Sequence, residues 1–372
     1  MKSLRIVSVE HLQSGMELAQ NILGEDGRVL LRERVILTDR FIALLKEKGL
    51  PFACIQDSET YDIQPEESIR PEIQQAVVQR LKAVYDRVAQ DSSIQSLSKY
   101  HQLSGEISAL YDLLLKDIEE NDRLVLSLNS MFTNDAYLYK HSMNVTAYAL
   151  VVGMAHGLTG SRLREFGIGT LLHDIGKTQV DKEVLNRPGK LTESERREIE
   201  KHTQMGYDLL LKIPGVSFPS AHCALEHHEK YDGTGYPLRL AGEDIHEFGR
   251  MLAVADVYDA LASNRTYRKA FAPQDALQYL RENKGTHFDP AYVDSFMNHV
   301  NVYPNGMPVK LTYGLSGVIA RMDPADVHRP VVLVLNEYGF KVRPYELELS
   351  KHYDVEILAC DVNLFDFAPS GG

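Results

Sequence analysis

Helix-patterned apolar segments in the middle of this chain carry histidines and aspartates on faces that should be dry, which restricts what the chain can fold into. Seven of its fourteen histidines fall between residues 141 and 228. His141, in "YLYKHSMNVTAYALVVGMA", shares the i, i+4, i+8 face of a predicted helix with Val145 and Ala149. His173 and Asp174 end the predicted helix "SRLREFGIGTLLHD". Neighbouring residues on a helix point about 100° apart, so both address one centre only near a helix end, or across two centres. His202 sits in "REIEKHTQMGYDLLL", and His227 and His228 in "HCALEHHEKYDGTGYP". Asp256, in "RMLAVADVYDALAS", has Leu252, Ala253 and Ala260 as helical neighbours. A carboxylate there is unfavourable unless paired or coordinated. Asp259 is the alternative inward residue.

Taken singly, each residue has a plainer explanation. A lone buried histidine is commonly a hydrogen-bonded core residue, and a histidine closing a helix suits the helix dipole. Taken together, four or five histidines and two aspartates on successive helices leave too many polar groups unpaired. Imidazole and carboxylate are donors for zinc, manganese or iron. Two cations would accommodate seven such ligands and leave positions for water and substrate, and the candidates are His141, His173, Asp174, His202, His227, His228 and either Asp256 or Asp259. The three cysteines, Cys54, Cys223 and Cys360, form no CxxC pair, which disfavours a thiolate zinc site or a disulfide framework. The "GKT" at 176–178 is not a P-loop, because Leu171 stands where its first glycine belongs.

Around this segment the pattern divides the chain. Residues 1–56 read as a small α+β domain: strands in "LRIVSV", "RVLLRERVIL" and "PFACIQ", and a helix in "TDRFIALLKEKG" capped by Thr38 or Asp39 and stopped by Gly49. Residues 57–70 are acidic, hold Pro65 with Pro71 just beyond, show no apolar period and read as a linker. Residues 71–128 are a helical connecting region. Val77, Leu81, Val84 and Val88 form a narrow seam there, a candidate homodimer contact, although packing onto the same chain is the plainer reading. Residues 129–300 are helical, with a Thr192–Glu195 capping box, and residues 301–372 are β-rich. The fold class expected is therefore multidomain, an all-α core flanked by an α+β N-terminal domain and a β-rich tail. The net charge of −12 argues against duplex nucleic acid or an anionic membrane as partner, and no segment reads as a membrane span or signal peptide. A cytoplasmic location is expected.

"HDIGK" followed by "HHEKYDGTGYP" resembles the HD-GYP family of metal-dependent phosphohydrolases, from about residue 130 to 300. Residues 1–56 are similar to a small domain often placed before HD-GYP domains. The resemblance implies an HD-type helical core that hydrolyses cyclic di-GMP to linear pGpG, with slow passage to GMP. The alternatives are hydrolysis of 3',3'-cyclic GMP-AMP or a silent cyclic-dinucleotide receptor with a signalling-protein partner. It implies two divalent cations, iron or manganese, held by the seven ligands above, Asp256 closing the set, with Asp174 bridging them and His173, Asp174 and Lys177 in the catalytic set. Lys177, Arg265 and Arg268 would contact substrate phosphates, and Gly235, Tyr236 and Pro237 form the loop at the site rim. Relatives with three metals carry a glutamate four residues before the first histidine. Tyr137 stands there in this chain, so a third metal is not expected.

Overall fold

The first strand, β1 (Arg5–Ser8), pairs antiparallel with β4 (Phe52–Ile55), while β2 (Ile22–Leu23) pairs with β3 (Val29–Leu31). Helix α1 (Asp39–Glu47) lies between β3 and β4 in sequence. Its N-cap is Thr38, whose hydroxyl accepts from the Phe41 amide, and Gly49 lets the chain leave with φ of +66°. These elements close over their own core, which includes Leu18, Leu37, Leu45 and Ala53. The structure is a computed structural model, and it describes residues 4–24, 28–50, 52–60, 63, 69–90, 97–120, 137–185, 187, 189–263, 273–301, 303–323 and 326–360.

Two residues of the predicted linker are packed, not solvated. Ile63 is buried against Val318 and Leu335, and Ile69 is buried in the main core. Helices α2 (Pro71–Gln90) and α3 (Leu97–Glu120) then pack on each other. Val77, Leu81, Val84 and Val88 are all buried within this one chain, so the seam is spent on its own core. The next helix, α4 (Tyr137–Ala155), is central: every residue from His141 to Gly153 is buried, as expected of a helix enclosed all round. It contacts α2, α3, α5 (Gly160–Leu171), α10 (Glu247–Ala262) and α12 (Pro290–His299). Between α5 and α10 come α6 (Lys182–Leu185), α7 (Glu193–Glu200), α8 (His202–Leu210) and α9 (Phe218–Glu226). Helix α11 (Pro273–Glu282) precedes α12. The Thr192–Glu195 capping box opens α7, Ser217 caps α9, and Asp289 followed by Pro290 opens α12.

The C-terminal strands β5 (Pro308–Leu311), β6 (Leu315–Asp323), β7 (Asp326–Glu337), β8 (Phe340–Glu348) and β9 (Ile357–Cys360) form one antiparallel sheet in the order β8-β7-β6-β5-β9. Tyr338 and Gly339, both at positive φ, make the two-residue hairpin between β7 and β8. The sheet is not a separate tail in packing terms. Val309, Ile319, Val332 and Leu349 are part of the same core as the helices. Just before β5, Gly306 O accepts from the Ile6 amide at 2.8 Å, and Met307 touches the N-terminal core as well as the main one. No helix among the described residues is long and apolar enough to cross a membrane.

Candidate metal centre

Helix α5 stops at Leu171, three residues before its predicted end at Asp174, and the chain tightens into a 3-10 turn over Ile175–Gln179. His173 and Asp174 therefore lie in the turn and not on the helix. In 3-10 geometry residues i and i+3 eclipse, which sets Lys177 directly beside Asp174, with Nζ 2.5 Å from Oδ2. The turn packs on the start of α8, where His202 sits. His227 is the C-cap of α9 and His228 follows it. His141 comes from α4 and Asp256 from α10. Five separate pieces of the HD segment thus converge on one point.

The two oxygens of Asp174 face different histidines. Oδ1 is 3.4 Å from His202 Nε2 and 3.8 Å from His227 Nε2, while Oδ2 is 3.5 Å from His173 Nε2 and 3.9 Å from His141 Nε2. Asp256 lies on the other side: Oδ1 is 3.0 Å from His141 Nε2 and 3.9 Å from His173 Nε2, and Oδ2 is 3.9 Å from His228 Nδ1. Two donor groups result, His202–His227–His228 and His141–His173–Asp174, each with its donor atoms within 4.8 Å of one another.

The imidazoles are held as neutral donors. Nδ1 of His173 lies 2.8 Å from Thr170 O, that of His202 2.6 Å from Ile199 O, and that of His227 2.9 Å from Cys223 O. A carbonyl only accepts, so each Nδ1 carries its proton and donates, leaving a bare Nε2 turned toward the centre. Burial pushes the His173 ring down, and burial with the nearby Lys177 charge brings His202 to about 4. Burial holds His228 at about 3 and puts His227 well below its ordinary value. His141 differs. Burial opposes its charge, but hydrogen bonds to Asp256 and Asp259 outweigh that and raise it to about 9. Burial alone would raise Asp174; Lys177 and the surrounding histidines instead hold it well below the carboxylate range. His173 Nε2 and Asp174 Oδ1 are buried with no hydrogen-bond partner. Orphaned, inward-facing donors of this kind are what a cation would satisfy, so the residues fit a divalent metal.

Asp256 and Asp259 are both buried, so both point inward. Asp259 Oδ2 accepts from His141 Nδ1 at 2.7 Å, and its Oδ1 accepts from Asn144 Nδ2 at 2.9 Å. It orients His141 from behind. Asp259→Ala should leave the chain folded and lower metal affinity about 10- to 100-fold, as loss of a histidine's carboxylate partner commonly does. A metal titration that returns the unmodified affinity would remove Asp259 from this role.

The GYP loop crosses the rim. The Tyr236 ring lies against His228, with centroids 4.8 Å apart and planes 31° apart. A side chain at Gly235 would meet the backbone at Glu229 and Lys230, at 2.5 Å and 2.3 Å, so only glycine fits. Pro237 follows, exposed, through a cis bond. Glu229 and Asn144 were not singled out from sequence; nothing in their local pattern marks them. Arg265 and Arg268 lie outside the described residues, as does the side chain of Tyr137, which begins α4 one turn before His141.

Residues 127–292 match the HD domain family. The chain is 38% identical over 239 residues to a cyclic di-GMP phosphodiesterase of Pseudomonas aeruginosa, covering 64% of this chain and 58% of that protein. It is 37% identical to the cyclic di-GMP phosphodiesterase response regulator RpfG of Xanthomonas campestris, over 49% of each chain. It is 33% identical to 3'3'-cGAMP-specific phosphodiesterase 2 of Vibrio cholerae, over 50% of this chain and 36% of that one. The chain thus spans between 36% and 58% of the length of these relatives. The HD pair thus lies in a turn between two histidine groups, with the GYP loop seated on His228, inside the stretch that matches the HD domain family.

Proposed function

We propose that this chain is a metal-dependent phosphodiesterase that opens cyclic di-GMP to the linear dinucleotide pGpG. The observation that carries the reading is Asp174, whose two oxygens face two separate histidine groups. That arrangement suits a carboxylate shared by two cations. One would be held by His141, His173 and Asp256, the other by His202, His227 and His228. All donors are nitrogen or oxygen, which favours iron or manganese over a thiolate-bound metal. When bound, the cations supply Lewis-acid charge and a nucleophile derived from water near neutral pH.

The chain's own residues do the rest. Lys177, held beside Asp174 and partly open to solvent, offers a cation to a phosphoryl oxygen as negative charge develops there. Arg265 and Arg268 are proposed to take the remaining phosphate charge. The carbonyls of Thr170, Ile199 and Cys223 keep each imidazole in the donor tautomer through turnover. Cyclic di-GMP is preferred to cyclic GMP-AMP because the two relatives at 38% and 37% identity carry the former substrate in their names. Metal analysis of anaerobically purified protein, coupled to turnover of both cyclic dinucleotides, tests the reading. Two cations per chain and faster loss of cyclic di-GMP are expected; metal-loaded protein that cleaves neither would overturn it.

Tyr137 makes a further prediction. A phenol titrates at about 10 and is a weak donor to a hard cation at neutral pH. With two cations and not three, the ring-opening cut proceeds and the second cut, on a product with an extra terminal phosphate, is slow. A chromatographic time course should therefore show linear pGpG accumulating. Prompt conversion to GMP, or a third cation per chain, would contradict this.

A further inference from the structure

One buried carboxylate in this region is used by neither donor group. Glu229 follows His228 directly, is almost fully enclosed, and spends both oxygens on backbone amides of the loop beyond the GYP residues. Its Oε1 accepts from Leu238 N at 2.6 Å and Arg239 N at 3.0 Å, and its Oε2 accepts from Leu240 N at 3.2 Å. Arg239 is held at φ of +59°, a left-handed conformation unusual for arginine, and its amide is one of the three that the carboxylate takes. The same loop is drawn back at its other end. Tyr236 N donates to His228 O at 3.2 Å, and Gly235 rests on the Glu229 and Lys230 backbone too closely for any side chain. Asp232 N donates to Thr286 O and Tyr231 N to His287 O, which ties the loop to the segment before α12.

We propose that Glu229 is a positioning residue for the substrate. By gathering three amides it holds residues 235–240 so that the Tyr236 ring stays against His228 and presents a fixed aromatic edge at the mouth of the centre. A planar, nucleobase-sized group entering beside the cations meets that edge. The residue acts through Tyr236 and not on the reacting phosphate. This inference rests on the proposed phosphodiesterase activity for its substrate, but the clamp itself does not.

The test uses the full chain with Glu229→Ala, and Glu229→Gln in case the alanine variant fails to fold. Amide hydrogen exchange is read at Leu238, Arg239 and Leu240, alongside metal content, KM and kcat. Loss of hydrogen bonds to a charged acceptor should speed exchange at those three amides and raise KM by about tenfold, with kcat less affected and metal content unchanged. Glutamine, which keeps one carbonyl oxygen, should rescue part of the KM effect. Tyr236→Ala should raise KM similarly, and adding it to the Glu229 variant should bring no further rise, because both changes remove the same contact. Unchanged exchange at the three amides, or fully additive KM effects, would overturn the proposal. Failure of the unmodified chain to cleave any cyclic dinucleotide would overturn the functional reading and the KM half with it; exchange would still decide whether Glu229 holds the loop.

Discussion

Asp174→Ala should abolish hydrolysis and strip metal from the chain. The side chain removed is buried, faces both histidine groups and pairs with Lys177 at 2.5 Å. Alanine leaves His202 and His227 without the carboxylate that joins them to His141 and His173. It also leaves the Lys177 ammonium beside neutral imidazoles with no counter-charge. Both effects work against cation binding and against phosphate stabilisation, so the loss in turnover should exceed that of a single charge contact, about 10²–10³-fold. Metal analysis and turnover are read together. A variant with full metal content and full activity would take Asp174 out of the site.

Gly176→Ala should do comparable damage without touching a donor atom. A Cβ at this position would sit 1.9 Å from His202 O and 2.5 Å from Gly206 N. Those are backbone atoms of α8, so no rotamer relieves the overlap. Either the turn that carries His173 and Asp174 or the start of α8 that carries His202 must move. Overpacking of this kind costs about 3 kcal/mol. The displacement should also separate His202 Nε2 from Asp174 Oδ1, now 3.4 Å apart, and weaken metal binding. Thermal unfolding and metal content should fall together. A variant with unchanged Tm and metal content would show that the turn and α8 are less tightly opposed than described.

The sequence exposes this centre because its donors interrupt apolar helix faces. His141 and Asp256 stand out for that reason, and His173 and Asp174 stand out where an apolar run ends. The capping box at Thr192 is equally local, since both partners lie within four residues. Features built from distant residues are not legible in that way. Asp259 reaches His141 across 118 positions, and α10 shows two aspartates on nearly one face with nothing local to rank them. Glu229 accepts from amides 9 to 11 residues ahead, on a loop with no periodicity. The alternation in "SGVIARM" and "RPVVLVL" marks strands but not which layer meets their apolar face; the sheet's union with the helical core comes from Val309, Ile319 and Val332. Ile63 and Ile69, lone apolar residues in an acidic stretch, carry no period and so read as linker, although both are buried.

The most direct measurement is anomalous diffraction from crystals of anaerobically prepared protein, collected at the iron and manganese edges. Two peaks about 3.5–4 Å apart are expected. One should lie beside His141, His173 and Asp256, and the other beside His202, His227 and His228, with Asp174 contributing an oxygen to each. A single peak, or two peaks with Asp174 bound to only one or neither, would contradict the bridged two-cation centre.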